Sequence, residues 1–177
     1  MVQYLALMLN RAQENPYMIK LLEHECFLSL NFYYMKGYIA RIDVFIKASR
    51  EAVWHALITP EIVEKYFYRT KLSSSWEIGA PIIFRGEWNG TSYEDKGTIL
   101  QFEPNSKLVY NYWSSMSGLP DTPEFYQLLT YELTEVENGV RLSITQENLD
   151  SDERRKHAEA TWLPVLEGLK KIVEETT

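Results

Sequence analysis

The residues able to do bond-making chemistry are few and poorly spaced for it. The three histidines, His24, His55 and His157, have no spacing that makes a metal triad, so no metal site is expected. His157 is the best candidate for acid–base work. It lies one helical turn before Thr161 near an apolar stripe, and an imidazole can titrate in the working range. A histidine near a helix start serves equally well as a surface residue. Ser114, Ser115 and Ser117 lack the strand–turn–helix setting of a hydrolase nucleophile. Gly86 to Gly90 has the wrong spacing for a phosphate loop and includes Trp88. Glu94-Asp95 sits beside a turn and reads as solvated. The single cysteine, Cys26, excludes an intrachain disulfide, leaves too few thiols for structural zinc, and fits a reducing compartment. Nothing in this inventory names a reaction or a cofactor.

The aromatic residues point to binding instead. They make up 14% of the chain, with five tryptophans and twelve tyrosines, and many fall in segments that read as strands. A ring with a polar tip suits a pocket for a flat or lipid-like molecule, because the ring supplies area and the OH or NH supplies orientation. Core packing is the competing use of any one of them. Strand alternation places Leu129, Tyr131 and Leu133 on one inward face and groups Phe84 with Gly86 and Trp88. The expected pocket lining is Phe84, Trp88, Tyr110, Tyr112, Leu129, Tyr131, Trp162 and Leu166.

The elements that must position these residues are legible from periodicity. Residues 151–177 carry Ala158, Trp162, Val165, Leu166, Leu169 and Val173 at three- and four-residue spacing, one apolar stripe of a long helix. Pro164 removes an amide inside that helix, and Gly168 loosens it one turn later. Two readings follow: a segment that moves to admit ligand, or a static kink that follows the curvature of a sheet. Residues 38–47, YIARIDVFIK, alternate Ala40, Ile42, Val44 and Ile46 against a more polar face, as a strand does. Ser49 caps a helix from Arg50 to Ile58, and Thr59-Pro60-Glu61 starts a second to about Tyr66, with the threonine side chain accepting from first-turn amides. Strands follow at 69–73, 82–88, 93–103, 107–113, 125–135 and 140–146. Asn89-Gly90 marks a hairpin, Pro104-Asn105-Ser106 a turn, and residues 114–123 a longer flexible loop. One long helix laid across a curved antiparallel sheet encloses a space, and function is expected there.

At 177 residues and 45% hydrophobic, the chain fits one α+β domain, residues 37–177, with an N-terminal extension over residues 1–36. The extension has no basic start and no cleavage site, and polar residues interrupt it too often for a membrane span. It reads either as short helices capping the domain or as a dispensable piece. A net charge of −7 argues against nucleic acid or an anionic membrane as partner, and a cytoplasmic protein, monomer or homodimer, is expected. Arg154-Arg155-Lys156 reads as a solvated first helical turn.

The order strand, two helices, several antiparallel strands and one long helix resembles the helix-grip fold of the START and birch-pollen-allergen superfamily, often called SRPBCC. IKASREAVWHALITPEIVEKYF resembles that family's opening, with its cap, Thr-Pro-Glu restart and aromatic pair. GTILQFEPNSKLVYNYW, residues 97–113, is similar to the glycine, acidic-proline turn and tryptophan-ending strand of the branch related to the activator of heat-shock-protein ATPase. YELTEVENGVRLSITQENL and HAEATWLPVLEGLKKIVE continue the match, which covers about residues 39–174. Thr161-Trp162 departs from the glycine that usually precedes this tryptophan. The additional N-terminal domain of the eukaryotic co-chaperones has no counterpart here, which weakens a chaperone inference. The resemblance implies a cavity between sheet and helix without implying one ligand. Binding of a small hydrophobic or aromatic molecule is expected. A co-chaperone-like module acting on a chaperone, and a cyclase- or hydrolase-like enzyme using the same cavity, are the alternatives.

Overall fold

The structure, a computed structural model, describes residues 37–176. The expectations for residues 1–36, including the two readings of the extension, His24 and Cys26, lie outside the described residues. Strand β1, Tyr38–Ile46, is followed by helices α1, Arg50–Ile58, and α2, Pro60–Tyr66. Then come β2, Lys71–Ser73; β3, Pro81–Trp88; β4, Thr91–Glu103; β5, Lys107–Trp113; β6, Gln127–Val136; β7, Gly139–Leu149; and helix α3, Asp152–Thr176. A 3-10 turn at Pro123–Phe125 precedes β6. All strands join one antiparallel sheet in the order β1-β7-β6-β5-β4-β3-β2. The sheet curves around α3, an α+β helix-grip fold.

Local chemistry explains most boundaries. The Ser49 hydroxyl accepts from the Ala52 amide at 3.2 Å and starts α1. Thr59 ends α1 and starts α2 through its backbone: its amide donates to the His55 carbonyl, and its own carbonyl accepts from Ile62 and Val63 at 3.0 Å. The threonine side chain makes no capping bond, a departure from the expected hydroxyl cap. Pro60 occupies the first turn of α2, where its missing amide costs nothing. Asn89 and Gly90 take φ of 49° and 79°, the backbone of a tight hairpin whose twist matches its strands.

The inner face of the sheet is read directly from the register. Ile82 stands opposite Gly97, Phe84 opposite Asp95, Tyr110 opposite Leu129, and Tyr131 between Leu108 and Ile144. Ala40, Ile42, Val44 and Ile46 of β1 are buried on this face. The six stripe residues of α3, Ala158 to Val173, are all buried against it. Pro164 stands on the exposed side, and α3 continues through it. Gly168 has a packing reason: a Cβ there would lie 3.1 Å from Cβ of Tyr66, so its bare backbone lets α2 approach α3. The basic run at the start of α3 is engaged in ion pairs, with Arg155 bridging Asp152 and Glu159 and Arg154 meeting Asp150.

Candidate functional site

Five aromatic side chains form a closed ring between the sheet and α3. Phe84 of β3 meets Tyr110 of β5 with ring centroids 5.9 Å apart, and Tyr110 stacks on Tyr131 of β6 at 5.7 Å. Tyr131 meets the Trp162 indole of α3 edge-on at 5.8 Å. Trp162 contacts Phe67 at 5.6 Å, and Phe67 returns to Phe84 at 6.2 Å. Each such pair adds about 0.5–1.5 kcal/mol beyond the area it buries. Leu57 of α1, Val63 and Tyr66 of α2, and Leu108, Ile144 and Leu166 also line the space the ring surrounds. The cavity left inside is about 30 Å³, room for one or two water molecules. A ligand of drug size needs about 300 Å³ or more, so such a guest enters only if side chains move.

Polar groups in this lining are sparse and well placed. The Tyr110 and Tyr131 hydroxyls lie 2.9 Å apart and bond to each other. The Trp162 Nε1–H donates to Oε1 of Gln146 at 2.7 Å, and the Gln146 side-chain amide donates to Gln127. Burial raises the Tyr110 and Tyr131 hydroxyls well above the ordinary tyrosine value, so both stay neutral. The pair therefore offers hydrogen bonds and does not offer a base. Burial does the same for Tyr66 and Tyr112, and the Asp95 carboxylate pushes Tyr112 further.

These shifts carry a sign that can be measured. A tyrosine whose folded value exceeds the unfolded value near 10 contributes stability that is complete below pH 10 and is lost as pH rises toward the folded value. The domain should therefore weaken steadily above about pH 10. In a tyrosinate absorbance titration, Tyr66, Tyr110, Tyr112 and Tyr131 should stay silent until the domain unfolds and then ionise together. Stepwise ionisation near pH 10 with the fold intact would mean that water reaches the ring.

Of the residues expected to line a pocket, Phe84, Tyr110, Tyr131, Trp162 and Leu166 meet around the cavity. Leu129 is buried opposite Tyr110 in the adjoining core and does not reach the cavity wall. Tyr112 lies behind Phe84, with rings 6.0 Å apart, and its hydroxyl donates to Oδ2 of Asp95 at 2.5 Å. Trp88 is 48% exposed and stands outside the cavity. It shares a face with Phe84 as alternation requires, but four residues place it about 13 Å further along the strand, beyond the end of the cavity. His157 is exposed on α3 and is absent from the lining, so nothing brings it to the ring.

Several features differ from the sequence reading. Asp95 is buried rather than solvated, accepting from Tyr112, the Ser114 hydroxyl, and the amide and hydroxyl of Ser115. Those bonds tie down the 114–123 loop, which Trp113 Nε1–H to the Leu119 carbonyl and Lys96 to Asp121 fasten further. Its serines, which read as flexibility, are the donors that hold it. Phe67, Val63, Tyr66 and Trp76 also line the cavity without having been singled out for it. The aromatic pair Tyr66-Phe67 ending α2 was the available signal. Arg69, expected to start a strand, and Tyr68 before it hold left-handed φ of 61° and 48° instead. Such positions cost of order 1–3 kcal/mol each for residues with a Cβ.

No group of three or more His, Cys, Asp or Glu among the described residues could hold a metal. No helix among them is long and apolar enough to cross a membrane.

The solution structure of ChR145 from Cytophaga hutchinsonii is 44% identical, with 78% of this chain and 95% of that chain covered and a TM-score of 0.69. The crystal structure of MLL2253 from Mesorhizobium loti is 23% identical, covering 79% and 99%, with a TM-score of 0.65. The Aha1 dimer from Colwellia psychrerythraea is 21% identical, covering 77% and 96%, with a TM-score of 0.62. Among curated proteins, none matches. The model of the Activator of Hsp90 ATPase homolog 1-like proteins matches residues 47–174, from the end of β1 to the last turn of α3, and the chain belongs to that family.

Proposed function

We propose that this domain binds a small, planar apolar or aromatic molecule within the five-membered aromatic ring, and that it does so without catalysing a reaction. The observation that carries the reading is the hydroxyl pair Tyr110–Tyr131 set inside a mainly apolar lining. A flat ring can intercalate among ring faces that already prefer offset or edge-on partners, and its polar tip can take over one bond of the pair. Because both hydroxyls are neutral, they orient a guest and do not abstract its proton. The cyclase- or hydrolase-like alternative loses its best general base with His157 on the surface. Docking on a chaperone is the second reading, supported by the family description. The proposal extends to a cytoplasmic monomer or homodimer.

Titration with 2-naphthol, followed by aromatic and amide NMR shifts, tests the reading. Saturable shifts should concentrate at Tyr110, Tyr131, Trp162 and Leu166. Tyr131→Phe should weaken 2-naphthol about tenfold, the worth of one buried hydrogen bond, while leaving naphthalene nearly unchanged. Shifts scattered over the surface, or no loss for either compound, would remove the ring as the site and leave the chaperone reading ahead.

A further inference from the structure

The five rings are not held alike. Phe84, Tyr110, Tyr131 and Trp162 stand on β3, β5, β6 and α3, each within a regular element. Phe67 alone stands in a turn, the one that joins α2 to β2. That turn is pinned at both ends. On one side Tyr66 packs against Gly168 and its hydroxyl donates to the Ala56 carbonyl at 3.2 Å. On the other, Thr70 is buried and its hydroxyl lies 2.7 Å from that of Tyr93. Between the pins, Tyr68 and Arg69 both occupy left-handed backbone that residues with a Cβ avoid. Phe67 itself keeps an ordinary φ of −109°, its amide donating to the Val63 carbonyl and its carbonyl accepting from the Thr70 amide, both at 2.8 Å, so its ring stands on a bonded turn directly beside two strained positions.

The same turn leads to solvent. Phe67 is half-buried and touches Tyr68 at 6.3 Å, and Tyr68 meets Trp88 edge-on at 5.6 Å. Tyr68 and Trp88 are 43% and 48% exposed. A row of rings in contact therefore runs from the surface, through Phe67, to the Tyr110–Tyr131 hydroxyls. Among the described residues, none of the other four ring members continues to an exposed aromatic pair in this way.

We infer that Phe67 is the door of the cavity and that the exposed Tyr68–Trp88 pair is an outer site that receives planar aromatic molecules before they pass it. This rests on the ligand-binding reading above. Three observations converge on it: a cavity too small for a guest as it stands, one ring member on a strained turn, and exposed rings continuous with that member. The class of ligand follows from the surface pair, since a flat aromatic stacks on an indole face and a flexible aliphatic chain gains little there. Because Trp88 lies outside the final site, it acts on rates. A waypoint that the bound ligand no longer touches changes association and dissociation together and leaves affinity in place.

Stopped-flow tryptophan fluorescence with 2-naphthol separates these roles. Phe67→Ala should raise the association rate tenfold or more, and Trp88→Ala should lower association and dissociation rates alike by at least threefold with an unchanged Kd. Pro164→Ala, which alters α3 and spares the turn, should leave the rates as they are. If Phe67→Ala fails to fold, Phe67→Leu keeps apolar burial with a narrower side chain and should show the same direction. Rates within twofold of wild type in the folded Phe67 variant, with NMR shifts still at Tyr110 and Tyr131, would overturn the door and spare the binding reading. If wild type takes up no 2-naphthol, a folded Phe67→Ala protein should still admit indole into the space vacated, seen as shifts at Tyr110 and Tyr131. A folded variant that excludes indole overturns door and binding reading together.

Discussion

Trp162→Glu is expected to leave the domain without a cooperative fold at neutral pH. The indole is 8% exposed, touches both Phe67 and Tyr131, and donates to Gln146. Emptying a packed tryptophan site costs about 3–5 kcal/mol. A carboxylate left among the faces of Phe67 and Tyr131 adds several kcal/mol, and the sum rivals the whole stability of a domain this size, about 5–15 kcal/mol. Trp162→Phe is the informative companion. It keeps a ring against Tyr131 and Phe67 but loses the bond to Gln146, so about 1–3 kcal/mol should go while the fold stays. Far-UV circular dichroism and urea unfolding read both variants. A Trp162→Glu protein with the wild-type urea midpoint would place residue 162 outside the core and dissolve the ring with it.

The second large effect lies in the sheet. Gly97→Ala should lower stability by about 4 kcal/mol or more, a fall of roughly 10–20 °C in melting temperature. A Cβ at Gly97 would stand 1.7 Å from the Asn111 carbonyl oxygen and 2.8 Å from its carbon, backbone atoms of the adjacent strand that cannot swing aside. At the same place the Thr98 amide donates to Oδ1 of Asn111 at 2.6 Å, so β4 and β5 are drawn unusually close. Forcing them apart would shift Tyr112, opposite Gly97, and with it the Asp95 network that ties down the following loop. Gly118→Ala is the contrast. It carries the conformational penalty of φ 73° but meets nothing within 4 Å, so about 1 kcal/mol is expected. Equal melting shifts in the two variants would show that contact between the strands is not what Gly97 provides.

Both results bear on how the site is built. Trp162 joins the helix to the ring, and Gly97 lets the β4–β5 pair sit close enough for Tyr110 and Tyr112 to project toward Phe84. Neither residue supplies chemistry; each sets where the rings stand. The shape of the cavity is governed by packing, through strand spacing and through the turn that carries Phe67.

What the chain encodes locally was legible without coordinates. The Ser49 cap of α1, the restart of α2 at Pro60, the alternation of β1, the Asn89-Gly90 hairpin and all six buried positions of α3 follow from neighbouring residues and from the two periods of helix and strand. Periodicity also put Phe84, Tyr131 and Trp162 on inward faces. It could not say how far along each strand the cavity extends, which is why Trp88 shares the face of Phe84 yet lies outside. A bulge at Leu100 turns Phe102 inward to meet Trp54 and Trp76, against the simple alternation from Ile99. The left-handed turn at Tyr68-Arg69 carries neither glycine nor asparagine, so composition gives no sign of it; the anchors at Gly168 and Tyr93 impose it. Local pattern determines which face a side chain takes, because that depends on a residue's own neighbours. Which faces meet, and which ring closes on which, is set by strand register and close backbone approach between distant segments, and those exist only in the folded structure.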